Sequence, residues 1–301
     1  MPYARMRDGA RLHYLDVGRR SATKTCVLLH GFAMPAALWL PFVAPMLHRY
    51  RFVLPDLRGF GGSHRLQLTQ PTLLTQHADD VADLFEQLGL RDVHLGGLSM
   101  GACTSMQYHR LYGFDRVRAY LHIDQSPRVI NSPDWPHGLL GEHQDASFAS
   151  MGGLMQLLEP YRDEPYARLP KHLKRELWQK LSVFYGHAFH QSLWRRLTDL
   201  SRHEFLIRRI APTANWPIYM DCLRSYLNDD YDWRHTLPQI EVPMTALVGM
   251  QSVMYPAAGQ LAIRQLVPHA RIVEFQNCGH AIPFEQPRHF VRELGTFLMA
   301  A

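Results

Sequence analysis

Short apolar runs alternate with segments of helical spacing over about the first 125 residues and again over about the last 60. Thr25–Leu29, Phe52–Leu54, Val93–Leu95, Ala119–Ile123, Thr245–Val248 and Ile272–Phe275 are each almost wholly apolar. Near-continuous apolar strands separated by helices are what a parallel sheet covered on both faces requires. The pattern therefore predicts an α/β fold with a mostly parallel central sheet and helices on both faces. Asp8-Gly9 supplies a turn for a hairpin ahead of it.

The stretch from about Pro127 to Pro238 reads differently. It has no comparable strand-like run, yet it holds five of the six tryptophans: Trp135, Trp178, Trp194, Trp216 and Trp233. Leu173, Leu177, Leu181 and Phe184 recur at helical spacing. The expectation is a core made of residues 1–126 and 239–301, with a helical cap inserted at 127–238. No internal repeat or low-complexity tract interrupts either part.

Composition narrows the class of function. The net charge is only +5 over 301 residues, and no block of five Lys or Arg occurs, which argues against a nucleic-acid partner. No apolar run approaches the roughly 20 residues of a spanning helix, so no membrane span is expected. The first residues have no apolar leader pattern, so no secretory signal is expected. Cys26, Cys103, Cys222 and Cys278 have neither CxxC nor zinc-like spacing. They read as free thiols, which points to a reducing compartment and a cytoplasmic location.

Three segments carry chemistry. Gly97-Leu98-Ser99-Met100-Gly101 falls between a predicted strand and a predicted helix running to Tyr112. That is the setting of a nucleophile elbow, in which flanking side chains would collide with strand and helix. The loop Asn277-Cys278-Gly279-His280-Ala281-Ile282-Pro283 follows the last strand. From there His280 can reach Ser99 as general base and return the proton to the leaving group. His30-Gly31-Phe32 follows the first parallel strand. An acyl-transfer site needs backbone donors where the oxyanion forms, and Phe32 N–H with Met100 N–H make the expected pair.

With these segments the chain resembles the α/β-hydrolase fold superfamily, and within it is most similar to esterases and cofactor-free haloperoxidase-like serine hydrolases. The matching pieces are His30-Gly31-Phe32 with Trp39, Asp56-Leu57-Arg58-Gly59-Phe60-Gly61-Gly62-Ser63, the Ser99 elbow, and Gly279-His280 with Glu285-Gln286-Pro287. The resemblance implies an acid three residues after the glycine ending the penultimate strand, but that position is Ser252. Some relatives place the acid after the strand that follows the elbow helix, where this chain has Asp124. Strand C-termini in such a fold open onto one crevice, so Asp124 is the expected orienting acid. A dyad without an acid, or an acid from the insertion such as Asp221 or Asp232, stays open.

Other candidates have simpler readings. Asp56 and Arg58 fit local ion pairs better than chemistry. His187 and His190 could share a helical face but lack a third ligand, so packing is the better account. Cys278 reads as a bystander thiol and Cys103 as a small core residue. Among the tryptophans, Trp135 is the candidate for lining an apolar acyl pocket, being closest in sequence to Asp124.

The expected activity is a serine hydrolase acting on an ester, thioester or lactone with a hydrophobic acyl part through an acyl-enzyme on Ser99. No cofactor or metal is implied, and the partner is a small-molecule acyl substrate bound by a monomer or homo-dimer. Ser99 argues against epoxide and haloalkane hydrolysis, which need an aspartate at the elbow. Acyl transfer, carbon–carbon bond hydrolysis and a ligand-binding role for a retained pocket remain alternatives.

Overall fold

A computed structural model describes residues 2–22, 24–70, 72–191 and 216–300. Its strands are β1 (Tyr3–Arg5), β2 (Arg11–Gly18), β3 (Thr25–Leu29), β4 (Arg51–Pro55), β5 (Val93–Leu98), β6 (Val117–Ile123), β7 (Met244–Gly249) and β8 (Arg271–Phe275). The longer described helices are α1 (Leu73–Gln87), α2 (Met100–Tyr112), α3 (Gln144–Leu158), α4 (Lys171–Gly186), α5 (Trp216–Asn228) and α6 (Pro287–Ala300). All six apolar runs of the core lie in strands.

The eight strands form one sheet in the order β1-β2-β4-β3-β5-β6-β7-β8. β1 and β2 make the expected hairpin, turning at Gly9 with φ +83°, and β2 also runs antiparallel to β4. From β4 across to β8 every pairing is parallel. Successive strand side chains point to opposite faces, which sorts the core into two layers. Val27 and Leu29 pack with Val81 of α1 and Cys103 of α2, whereas Cys26 and Leu28 pack with Phe290 and Leu294 of α6. β5 is buried along its whole length, and this central strand delivers Ser99.

The chain between β6 and β7 carries α3, α4 and α5 and, among the described residues, no strand. Its two ends are tied together: Val129 N–H donates to Tyr231 O (3.0 Å) and Trp233 N–H to Pro127 O (2.9 Å). Trp233 is fully buried, its indole N–H donating to Gln107 of α2 (2.9 Å). Trp194 lies outside the described residues. No described helix is long and apolar enough to cross a membrane.

Candidate active site

Ser99 sits between β5 and α2 at φ +53° and ψ −115°, a conformation that side-chain-bearing residues rarely adopt. Both backbone groups are pinned: Ser99 N–H donates to Ile123 O (3.0 Å) and Ser99 O accepts from Cys103 N–H (2.9 Å). The flanking glycines are required by space. A Cβ on Gly97 would lie 2.3 Å from Gly101 O, and one on Gly101 would lie 2.3 Å from Leu29 O, inside any van der Waals limit.

The loops after β6, β7 and β8 converge beside this elbow. Asp124, fully buried at φ +45°, follows β6. His280 Nδ1 lies 2.6 Å from Asp124 Oδ1. A carboxylate accepts, so the imidazole donates Nδ1–H to Asp124. Two further groups hold the carboxylate. Gly249 N–H donates to Oδ2 (2.8 Å), and the Ser252 hydroxyl donates to Oδ1 (2.7 Å). Ser252 thus enters the constellation as a partner of Asp124. The other acids considered are committed elsewhere, Asp221 to Arg162 (2.5 Å) and Asp232 to Arg234 (2.7 Å).

Neighbouring titratable groups are kept neutral. Burial lowers His122 to about 4, and its Nε2–H donates to Gln125 O (2.8 Å). Burial pushes the Cys278 thiol and the Tyr255 hydroxyl above their ordinary values. His30 is fully buried and likewise lowered by burial; Nδ1–H donates to Gly31 O (2.8 Å) while Nε2 accepts from Leu57 N–H (2.9 Å). Both ring nitrogens therefore fix the loop that carries Phe32. The Phe32 ring packs edge-on against Phe60, Phe184 and Tyr219, anchoring the same loop from its side chain. Met100 opens α2, where a helix leaves N–H groups without intrahelical acceptors.

Ser99 and His280 line a cavity of about 370 Å³. Its other walls are mostly apolar, with Met34, Leu140, Phe148, Phe184, Leu227 and Phe284 among them. No Lys, Arg, Asp or Glu lines it among the described residues.

Trp135, the tryptophan expected to line an acyl pocket, is not among the residues lining this cavity. It is buried elsewhere in the insertion, its indole N–H donating to Ser126 (3.3 Å) and its ring lying under Arg234 (5.3 Å). Trp178, Trp216 and Trp233 are also buried away from the cavity, each with its indole N–H donated. A bulky ring with one polar edge satisfies that edge inside the insertion, and phenylalanines with no such demand line the cavity. The helical stripe did contain one of them, Phe184, but periodicity does not separate core from cavity wall.

Asp56 and Arg58 make local contacts, as expected. Asp56 accepts from Ala36 N–H (2.6 Å) and Gly62 N–H (2.9 Å) and lies 2.6 Å from His13 Nδ1; Arg58 pairs with Asp80 and Asp8, each at 2.8 Å. Glu285 has a role that sequence reading missed. Its buried carboxylate accepts from Gly279 N–H (3.0 Å) and from Gln191 N–H (2.9 Å), joining the His280 loop to the insertion. Among the described residues no three His, Cys, Asp or Glu side chains gather as metal ligands.

Known proteins resemble this chain in sequence and in fold. A Pseudomonas putida 2-hydroxy-6-oxononadienedioate/2-hydroxy-6-oxononatrienedioate hydrolase is 25% identical over 98% of this chain and 95% of its own. A Nitrosomonas europaea pimeloyl-[acyl-carrier protein] methyl ester esterase is 25% identical over 88% of this chain and 92% of its own. The solved structure of an esterase from Exiguobacterium antarcticum superimposes with a TM-score of 0.79 at 20% identity, covering 99% of both chains. Residues 24–287 match the alpha/beta hydrolase fold family, and with the sheet order and elbow described above the chain belongs to that family of hydrolases.

Proposed function

We propose that the protein is a serine hydrolase that cleaves an ester, thioester or lactone with a hydrophobic acyl part. The observation that carries this reading is the 2.6 Å contact of His280 Nδ1 with buried Asp124, made where His280 and Ser99 share an apolar cavity. Ser99 Oγ attacks the acyl carbon while His280 Nε2 takes its proton, and Asp124 stabilises the imidazolium. The oxyanion is held by the N–H groups of Phe32 and Met100. Collapse expels the leaving group, protonated by His280, and leaves the acyl group on Ser99. His280 then deprotonates a water that attacks the acyl-enzyme, returning acid product and free Ser99. Residues 127–238 act as the cap: Leu140, Phe148, Phe184 and Leu227 come from this segment and wall the acyl pocket.

The test is initial hydrolysis rates on p-nitrophenyl esters from acetate to decanoate, with Ser99→Ala as the blank. Each buried methylene contributes about 0.8 kcal/mol, so kcat/KM rises up to about fourfold per methylene until the cavity is filled. Turnover that survives in Ser99→Ala, or none above that blank in the parent protein, overturns the reading. The P. putida relative favours carbon–carbon bond hydrolysis as a second reading, although a dioate finds no cationic side chain in the described lining.

A further inference from the structure

We propose that Ser252 is a positioning residue, whose hydroxyl fixes Asp124 Oδ1 in the orientation that the His280 imidazole needs. The inference rests on the triad reading and adds a member to it. Ser252 is buried and its hydroxyl is satisfied in both directions. It donates to Asp124 Oδ1 (2.7 Å) and accepts from Tyr255 N–H (3.4 Å). His280 Nδ1 uses the same carboxylate oxygen, at 2.6 Å. Gly249 N–H holds only the other oxygen, at 2.8 Å. With three donors on two oxygens, rotation of the carboxylate away from His280 would break hydrogen bonds to a buried charge.

Sharing one oxygen has a second consequence. A donor to an ionised carboxylate stabilises the charge and lowers its affinity for a proton. Two donors on one oxygen draw on the same electron density, so the Ser252 hydroxyl weakens the hold of Asp124 on imidazolium. Removing that hydroxyl would leave Oδ1 to His280 alone and strengthen its pairing with the protonated ring. Asp124 and His280 form one hydrogen-bonded pair, and Ser252 acts on that pair. The other titratable groups facing it are His122, Tyr255, Cys278 and, through the Gly279 amide, Glu285. Burial keeps the first three neutral in the range tested, so removing Ser252 is read out at His280.

The experiment compares kcat/KM against pH on p-nitrophenyl butanoate for the parent protein, Ser252→Ala and Ser252→Thr. In Ser252→Ala the acid limb moves up by about one pH unit, within the bound set by one hydrogen bond to an ionised group. Ser252→Thr, which keeps the hydroxyl, restores the parent midpoint. A misfolded fraction that is constant with pH leaves the midpoint unmoved, and circular dichroism over the same pH range separates acid unfolding from a change at His280. If Ser252→Ala is inactive, the His280 ring titration is followed by NMR in a Ser99→Ala background, where activity is not needed; the same upward movement is expected. An unmoved His280 midpoint in Ser252→Ala overturns the proposal. Esterase activity that survives Ser99→Ala overturns the triad reading instead, so the two failures are distinguishable.

Discussion

Replacing Asp124 with asparagine isolates the electrostatic part of the site, because size and shape are kept. The carboxylate takes three donors: Gly249 N–H on Oδ2, and the Ser252 hydroxyl and His280 Nδ1 on Oδ1. An amide has one oxygen and one NH₂ and meets that set in two ways. With its oxygen at the Oδ1 position, the NH₂ confronts Gly249 N–H at the 2.8 Å now spanned by a hydrogen bond. One buried donor is then left unmade, at about 1–3 kcal/mol of stability. With the amide reversed, its NH₂ faces His280 Nδ1, which must become an acceptor. The proton moves to Nε2 and the base toward Ser99 is lost. Both arrangements remove the negative charge opposite the imidazolium. Such a change costs about 10⁴ in kcat, or about 5 kcal/mol of barrier. The assay is single-turnover and steady-state hydrolysis of p-nitrophenyl butanoate beside a urea unfolding curve. The expected result is kcat down by about 10³ to 10⁴ with cooperative unfolding retained and stability lower by about 1–3 kcal/mol. A kcat within tenfold of the parent, with a normal unfolding curve, refutes Asp124 as the orienting acid.

Two further predictions follow from packing and burial. Gly101→Ala would gain up to about 1 kcal/mol from helix propensity, but its Cβ would lie 2.3 Å from Leu29 O, so the variant should be destabilised by several kcal/mol in urea unfolding. Equal or greater stability would show that α2 can move off β3. Burial lowers His122 to about 4 and His77 to about 3, both from an ordinary value of 6.5. Below that value the unfolded chain takes up protons that the folded chain refuses, so stability present at neutral pH is lost as pH falls from about 6.5 toward 4. The gap of about 2.5 pH units at His122 is worth about 3 kcal/mol. The urea midpoint should therefore fall between pH 7.5 and 4.5, and fall less in His122→Gln. A midpoint that is the same at both pH values would contradict this.

Strand positions were legible because burial on both faces leaves a local trace, an apolar run that neighbouring residues cannot disguise. The elbow at Ser99 was legible for a related reason. Its two glycines answer clashes within the same short strand–turn–helix unit and with β3 directly beside it. Asp124 was readable only as an acid at a strand end. Its distance from His280, across 156 positions of chain, was set by the parallel packing of β6, β7 and β8. Ser252 had no local signal as a partner, since one hydroxyl after a strand looks like any turn serine until a carboxylate meets it. The same holds for Glu285, which bonds the His280 loop to a segment 94 residues away. The choice of phenylalanine over tryptophan for the cavity wall is likewise a tertiary decision. Helical spacing says which face is apolar, but only the packing of α3, α4 and α5 over the sheet says whether that face meets another side chain or an open cavity. Residues whose neighbours lie within a few positions declare their environment in sequence; those whose partners are distant acquire it when the sheet closes.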